Sequence, residues 1–327
     1  MTKQFSKIAY RWLLRLLALL LACLAAVSLA ACDGETETES ELPVVEIDEG
    51  PVEGLNTMSA IGTGTVNSDY ALLCELEGLR AIAGLRAEER MYPASLTKLM
   101  TFIVAYENAA DHTALIEITK ELKNRYPEGS RVGIDVGDLM TVEQMMYALL
   151  LESDTDSALG LALHVAGSEQ AFVALMNEKA EEMGLRDTHF ANVTGLHAAD
   201  HYSTAAEMAA ILAYAVNIPL GRIILTTERY VTYLKYYKNG TLADYRMTFK
   251  NTTLVGRLAD NGISSTLLDG TRILGGKTGF TDEADYCLAT LAMAADGREY
   301  ILITGHASSG ENSAKDAVRL YGAYAGE

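Results

Sequence analysis

Basic residues are scarce in this 327-residue chain: 26 lysines and arginines stand against 44 aspartates and glutamates, a net charge of −18. A surface that neutralises phosphates needs the opposite balance, so nucleic acid is not expected as a partner. Cysteine is scarcer still, at positions 23, 32, 74 and 287. None sits in a C-x-x-C or histidine-paired spacing, so neither a metal site nor a disulfide framework is expected. Internal repeats are lacking too. What the chain does have is apolar bulk, 49% of its residues, enough to bury the core of one large domain or two modest ones.

The first 31 residues and the one that follows account for two of the cysteines. Lys3, Lys7, Arg11 and Arg15 are the only charges before residue 33, and they precede an apolar run from Leu16 through Cys23 to Val27. Basic n-region followed by apolar h-region is the pattern of a signal peptide. The run closes on Leu29-Ala30-Ala31-Cys32, which resembles the lipobox of bacterial lipoproteins. That resemblance implies cleavage before Cys32, lipidation of its thiol, and a protein anchored on the outer face of the cell membrane. An uncleaved anchor or an ordinary cleaved signal peptide are the alternatives, and each also exports the domain. Residues 33–50, DGETETESELPVVEIDEG, carry eight acids and no base. Like-charge repulsion and too little apolar surface to offset chain entropy make residues 32–57 a solvated tether. Loss of the four leader bases takes the net charge from −18 to −22, so lipid rather than surface charge has to provide the anchoring.

The folded domain is expected over residues 58–327. Apolar segments 70–75 and 79–85 flank Leu76-Glu77-Gly78 as a hairpin, and segments 286–294 and 299–305 flank Asp296-Gly297 as another. Between them, Thr141-x-x-Gln144 and Thr204-x-x-Glu207 have capping-box spacing. Phe172, Val173, Met176, Ala180 and Met183 keep helical spacing up to a stop at Gly184, and a last helix is expected over 313–324. No module is expected beyond it. Strands, then helices, then strands and a closing helix give an α/β (α+β) class: an antiparallel sheet flanked by helices with an inserted helical lobe, and a cleft between the two.

Two motifs carry chemistry. In Pro93-Ala94-Ser95-Leu96-Thr97-Lys98, a helical turn would set the Lys98 amine beside the Ser95 hydroxyl. A hydroxyl becomes a good nucleophile only when a neighbouring base takes its proton, and lysine serves if burial lowers its pKa. Standing alone, S-x-x-K is better read as a capping serine with a solvated lysine one turn on, and a second motif is needed to favour the nucleophile. In Gly275-Gly276-Lys277-Thr278-Gly279-Phe280, a strand-borne Lys-Thr-Gly offers a fixed cation, a hydroxyl and a glycine that allows close backbone approach by a substrate. A P-loop is set aside because Thr271 stands where the Walker pattern needs its first glycine.

In this order and spacing the two motifs resemble those of penicillin-binding proteins and serine β-lactamases. Residues 91–101 (MYPASLTKLMT), 167–197 (GSEQAFVALMNEKAEEMGLRDTHFANVTGLH), 201–209 (HYSTAAEMA) and 275–289 (GGKTGFTDEADYCLA) are similar to the low-molecular-mass D-alanyl-D-alanine carboxypeptidase family, over nearly all of 60–327. The resemblance implies a penicillin-binding, β-lactamase-like transpeptidase fold. It also implies a serine peptidase that removes the terminal D-Ala from wall peptide, with β-lactams as covalent inhibitors and no cofactor. Ser95 would be the nucleophile, Lys98 its base and Ser153 a proton relay. Lys277, Thr278 and Gly279 would hold the substrate, and the N–H groups of Ser95 and Phe280 would form the oxyanion hole.

The family's middle motif, Ser-x-Asn, reads Ser153-Asp154-Thr155 here. Thr155 therefore takes a substrate-binding place without an amide's paired donor and acceptor. Asp285 stands where relatives usually carry glycine. A β-lactamase is one alternative, although no Glu-x-x-x-Asn element follows the middle motif. A degenerate penicillin-binding sensor or scaffold is another. His189, His197 and His201 read as structural or surface residues, and Met145 and Met146 as core. Cys74 and Cys287 read as small buried strand residues, with a disulfide as the lesser alternative.

Overall fold

The structure, a computed structural model, describes residues 50–326. The leader, Cys32 and the tether up to residue 49 lie outside the described residues. The chain runs β1 (Ser59–Ala60), β2 (Tyr70–Glu75), β3 (Arg80–Leu85), α1 (Lys98–Asn108), β4 (Leu115–Glu117), α2 (Lys120–Arg125), β5 (Asp138–Thr141), α3 (Val142–Leu151), α4 (Thr155–Ala166), α5 (Glu169–Glu182), α6 (Ala205–Asn217), α7 (Pro219–Thr226), β6 (Arg229–Lys238), β7 (Thr241–Lys250), β8 (Arg272–Thr281), β9 (Asp285–Met293), β10 (Glu299–Ala307) and α8 (Gly310–Tyr324).

Both hairpins expected near the chain ends are present, and they meet in one sheet of order β1-β3-β2-β10-β9-β8. All its pairs are antiparallel except β1 with β3. Both faces of this sheet are covered, which explains why its strands read as unbroken apolar runs. Leu72, Cys74, Leu291, Ile301 and Ile303 face one core with α1, α3 and α6. Ala71, Leu73, Ala292, Tyr300 and Leu302 face another, where α8 supplies Ala317, Leu320 and Tyr321. That alternation is the two-residue period of a strand buried on both sides.

The helical punctuation holds with one difference. Thr141 and Gln144 make both bonds of a capping box. Thr204 caps α6, but the Glu207 carboxylate turns away to accept from Asp187 N and Thr188 Oγ1. Gly184 follows α5 at φ +72°, a left-handed stop. The last helix begins at Gly310, three residues earlier than expected, with Ser309 as its cap.

The inserted lobe is not wholly helical. It contains a second antiparallel sheet, β4-β5-β6-β7, whose last two strands form a ten-residue-per-strand ribbon closed at Asn239-Gly240. Both turn residues have positive φ, the requirement that makes Asn-Gly a strong hairpin signal. The fold also begins earlier than residue 58: Val52 is buried and Glu53 bridges to Arg80, so residues 52–57 belong to the packed domain rather than to the tether.

No disulfide joins Cys74 and Cys287, which are both free and buried. Cys74 is in register with Ile301 and through it with Leu291; Cys287 sits four residues along β9 and two strands away. At about 4.8 Å per strand and 3.3 Å per residue that exceeds the reach of a disulfide. Burial raises both thiols, Cys74 to about 12 and Cys287 to about 11.

Candidate active site

Ser95 lies not in α1 but in the tight 3-10 turn Ala94–Thr97 that leads into it. At three residues per turn, side chains at i and i+3 eclipse. The consequence is direct: Lys98 Nζ stands 2.9 Å from Ser95 Oγ. Lys98 Nζ also donates to the carbonyl of Thr194 at 2.7 Å, and only 2% of the residue is exposed. Burial in this apolar layer pulls the amine down to about 7, against a smaller opposing effect of the Asp154 charge. A lysine near neutrality keeps a lone pair for the Ser95 proton while one N–H stays on Thr194.

The loop that supplies Thr194 O is organised by Asn192. Its Oδ1 accepts from Thr194 N, Thr194 Oγ1 and Gly195 N, and its Nδ2 donates to Leu196 O. Gly195, at φ +82°, lies so close to the Ala94 carbonyl that a β-carbon there would overlap it. His201 ties the same loop to the nucleophile's turn. Its Nδ1 accepts from Ala191 N at 3.2 Å, which places the ring proton on Nε2 facing Thr97 Oγ1 at 2.7 Å. Burial holds this imidazole neutral, down to about 3. The histidine is therefore structural, in keeping with its sequence context. His197 packs edge-on against Tyr92, and His189 Nδ1 meets Asp200 O.

Strand β8 brings the second motif alongside. Gly279 faces the nucleophile's turn, where an added β-carbon would stand 3.1 Å from Pro93 O and 3.2 Å from Ser95 N. The close approach this glycine permits is thus to the protein's own backbone, at the N–H expected to hold an oxyanion. Phe280 follows, 46% exposed and packed on Tyr286. Lys277 is fully buried and its Nζ donates to Thr278 O at 2.6 Å. Burial, then the positive charges of Lys98 and Arg257, hold its pKa well below the ordinary lysine value.

The middle motif is placed differently. Ser153 has φ +62°, unusual for a residue with a β-carbon, and its buried Oγ has no hydrogen-bond partner among the described residues. Ala94, next to the nucleophile, shares the positive φ. Strain of this kind costs about 1–3 kcal/mol per residue and persists where surrounding structure imposes it. Asp154 caps α4 through Ser157 N and accepts from Val132 N; burial raises its pKa to about 6. Thr155 is buried. It packs against Gly129, whose β-carbon would collide with the Thr155 side chain, and its N–H donates to Ser130 O. Asp156 pairs with Lys123 of α2 at 2.8 Å and with Arg131 at 3.4 Å, which ties down the loop around Gly129 that covers Thr155. Asp285 is exposed at φ +47° where β9 begins, so it stands in a left-handed position that glycine adopts freely and aspartate tolerates.

Two further residues join the site without any sequence signal. The π-helical segment Thr252–Leu258 brings Thr252 Oγ1 to 2.9 Å from Thr278 Oγ1, and Arg257 to 3.3 Å from Gly279 O with its guanidinium over Tyr286. No motif marks them, because they reach β8 through tertiary packing alone. On the other side of this segment lies a groove of about 770 Å³ lined by Arg222, Leu258 and Arg272, among others, and by none of the motif residues. Among the described residues no group of three His, Cys, Asp or Glu side chains could hold a metal ion.

A serine and a near-neutral lysine face to face, Lys277 and Arg257 on the adjacent strand and segment, and a shared backbone contact at Gly279 form one constellation. Residues 56–308 match the D-alanyl-D-alanine carboxypeptidase family. The chain belongs to that family. Its similar relatives include D-alanyl-D-alanine carboxypeptidase DacF of Bacillus subtilis (strain 168), 31% identical over 75% of this chain and 59% of that one. Another is the D-alanyl-D-alanine carboxypeptidase of Streptomyces sp. (strain K15), 31% identical over 63% of this chain and 69% of that one. The crystal structure of the Streptomyces K15 DD-transpeptidase superposes with a TM-score of 0.69, at 25% identity, over 80% of this chain and 99% of that chain. The carboxypeptidase family's fold is therefore also this chain's fold. The chain spans 52–59% of the length of the first curated relatives it matches.

Proposed function

We propose that the protein is a serine D-alanyl-D-alanine carboxypeptidase, and the 2.9 Å contact between Ser95 and a buried, near-neutral Lys98 is the observation that carries the reading. Lys98 takes the Ser95 proton as Oγ bonds to the carbonyl carbon between the two terminal D-alanines. The tetrahedral oxyanion lies against the N–H groups of Ser95 and Phe280, a type of contact worth about a hundredfold or more per donor. As the C–N bond breaks, the proton passes to the departing D-Ala nitrogen, with Ser153 as relay. Water then attacks the ester carbonyl, gives a proton to Lys98 and releases the shortened peptide carboxylate, while Ser95 recovers its hydrogen.

Substrate binding rests on the terminal carboxylate. Lys277, Thr278 and Arg257 supply positive charge and a hydroxyl beside Gly279, and the carboxylate provides the counter-charge this cluster lacks. A β-lactam carries the same carboxylate and a reactive amide, so it acylates Ser95. Incubation with a peptide ending in D-Ala-D-Ala should release free D-alanine with wild type and none with Ser95→Ala; release that persists in Ser95→Ala rejects the reading.

One observation favours a second reading, in which acylation occurs without efficient peptide release. Thr155 sits beneath Gly129 instead of offering an amide to substrate. A stable penicillin adduct on Ser95 with no D-alanine released would select that reading. The leader supports a further proposal: lipidation at Cys32 holds the enzyme on the extracytoplasmic face of the membrane. Retention of Cys32→Ser in the membrane fraction at the wild-type level would reject it.

A further inference from the structure

The geometry points to a second contact surface for the wall polymer itself, on the outer face of the β6–β7 ribbon; this rests on the peptidase reading for the identity of the polymer. Along β6 every second side chain from Arg229 to Tyr237 is exposed, and along β7 so are Leu242, Asp244, Arg246 and Lys250, with Thr248 half-buried. On this face Tyr233 is 57% and Tyr237 65% exposed, and their cross-strand neighbours are Arg246 and Leu242. Arg229, Lys235, Arg246 and Lys250 share it with one acid, Asp244, for a net charge of +3 on a chain of −18. Arg229 pairs with the exposed Glu228. Lys235, Arg246 and Lys250 make no salt bridge among the described residues.

The inner face of the ribbon is already spent on packing: Tyr230 stacks on Tyr147 of α3, and Leu234 and Phe249 are buried. Among the described residues the outer face has no such covering, and it leads to the active site. Lys250 N donates to Glu152, next to Ser153, and β7 runs on through Asn251 to Thr252, which touches Thr278. At about 3.3 Å per residue, the Tyr233–Arg246 pair lies roughly 20 Å from Thr252 and the Tyr237–Leu242 pair roughly 33 Å. A short peptide in the site does not reach them. An extended polymer does.

The chemistry selects which polymer. Tyrosine offers a rigid flat face for stacking and a hydroxyl for hydrogen bonding, which suits pyranose rings with C–H faces and polar edges. The lysines and arginines suit carboxylates hung at intervals along the chain. A glycan strand bearing carboxylate-rich stem peptides presents both, and most of this acidic protein repels it while the ribbon attracts it. The ribbon therefore holds the strand whose peptide enters the site.

Pelleting of the full chain with insoluble peptidoglycan tests this, with anionic phospholipid vesicles and a soluble D-Ala-D-Ala pentapeptide in parallel. Tyr233→Ala/Tyr237→Ala and Arg246→Ala/Lys250→Ala should each cut retention on peptidoglycan at least tenfold, while Tyr233→Phe/Tyr237→Phe keeps it. Pentapeptide turnover should stay within twofold of wild type in all three. Retention that is equal in every variant overturns the inference, as does tyrosine-dependent retention on vesicles but not on peptidoglycan. A parallel loss of pentapeptide turnover in the alanine variants also overturns it. If the pentapeptide is not cleaved by any form yet retention still depends on the tyrosines, the surface stands and the peptidase reading falls.

Discussion

The Ser95 cluster and the middle motif differ in how completely they are satisfied. Around Ser95, Lys98 holds two partners, Asn192 ties down the 192–196 loop and His201 braces the turn. Around Ser153, a buried hydroxyl has no partner among the described residues and the backbone is in a left-handed conformation. The first region is preorganised without substrate; the second is complete only when something fills it. Rigid groups aimed at the reacting centre reduce reorganisation during the reaction, whereas an unpaired buried group is a cost to the fold.

That contrast can be broken by mutation. The largest effect belongs to the nucleophile and its base: Ser95→Ala should abolish acylation, and Lys98→Met should slow it by about 10²–10⁴, both read as penicillin adduct by mass spectrometry. Gly195→Ala should follow, since its side chain would meet the Ala94 carbonyl at a positive φ; a shift of about 1 Å at a reacting group costs about a hundredfold, and thermal unfolding should show lost stability as well. Ser153→Ala should slow D-alanine release by about a hundredfold while raising stability by about 1 kcal/mol, because an unpaired buried hydroxyl is removed. The same substitution at a fully satisfied group would destabilise, so a lower melting temperature for Ser153→Ala would erase the distinction.

A smaller effect separates the two regions by pH. Buried His201 binds a proton only near pH 3, against about 6.5 when unfolded. The unfolded chain therefore binds more protons between those values, and stability falls as pH drops from about 6.5 toward 3, by at most about 1.4 kcal/mol per unit. Asp154, raised to about 6, acts in the opposite sense, gaining stability as pH falls through that value. His201→Gln should flatten the acid side of the unfolding curve relative to wild type, and an unchanged slope would assign the effect elsewhere.

Much of this is legible in the sequence because it is local. Hairpins at 70–85 and 286–305, the capping box at Thr141, and the Ser95–Lys98 spacing each depend on neighbours within a few residues. The β6–β7 ribbon is equally local, since Asn239-Gly240 between alternating tyrosines is a hairpin signal, and the expectation of a purely helical lobe overlooks it. Other features have no local sign. Arg257 and Thr252 reach the site only through the packing of a π-helical segment on β8, and the enclosure of Thr155 depends on Gly129, far back along the chain. Thr155 illustrates the limit well: its departure from asparagine is visible in the sequence, but the covering loop that goes with it is not.

The central claim is that Ser95 is activated by a buried, neutral Lys98. The most direct test is the rate of Ser95 acylation by a penicillin, followed by mass spectrometry across about two pH units on either side of neutrality. Lys98 must lose its proton to act, so the rate should climb as pH rises through about 7 and then level. A rate that is flat across this range, or that is still climbing steeply at its alkaline end as an ordinary lysine would require, would contradict the account.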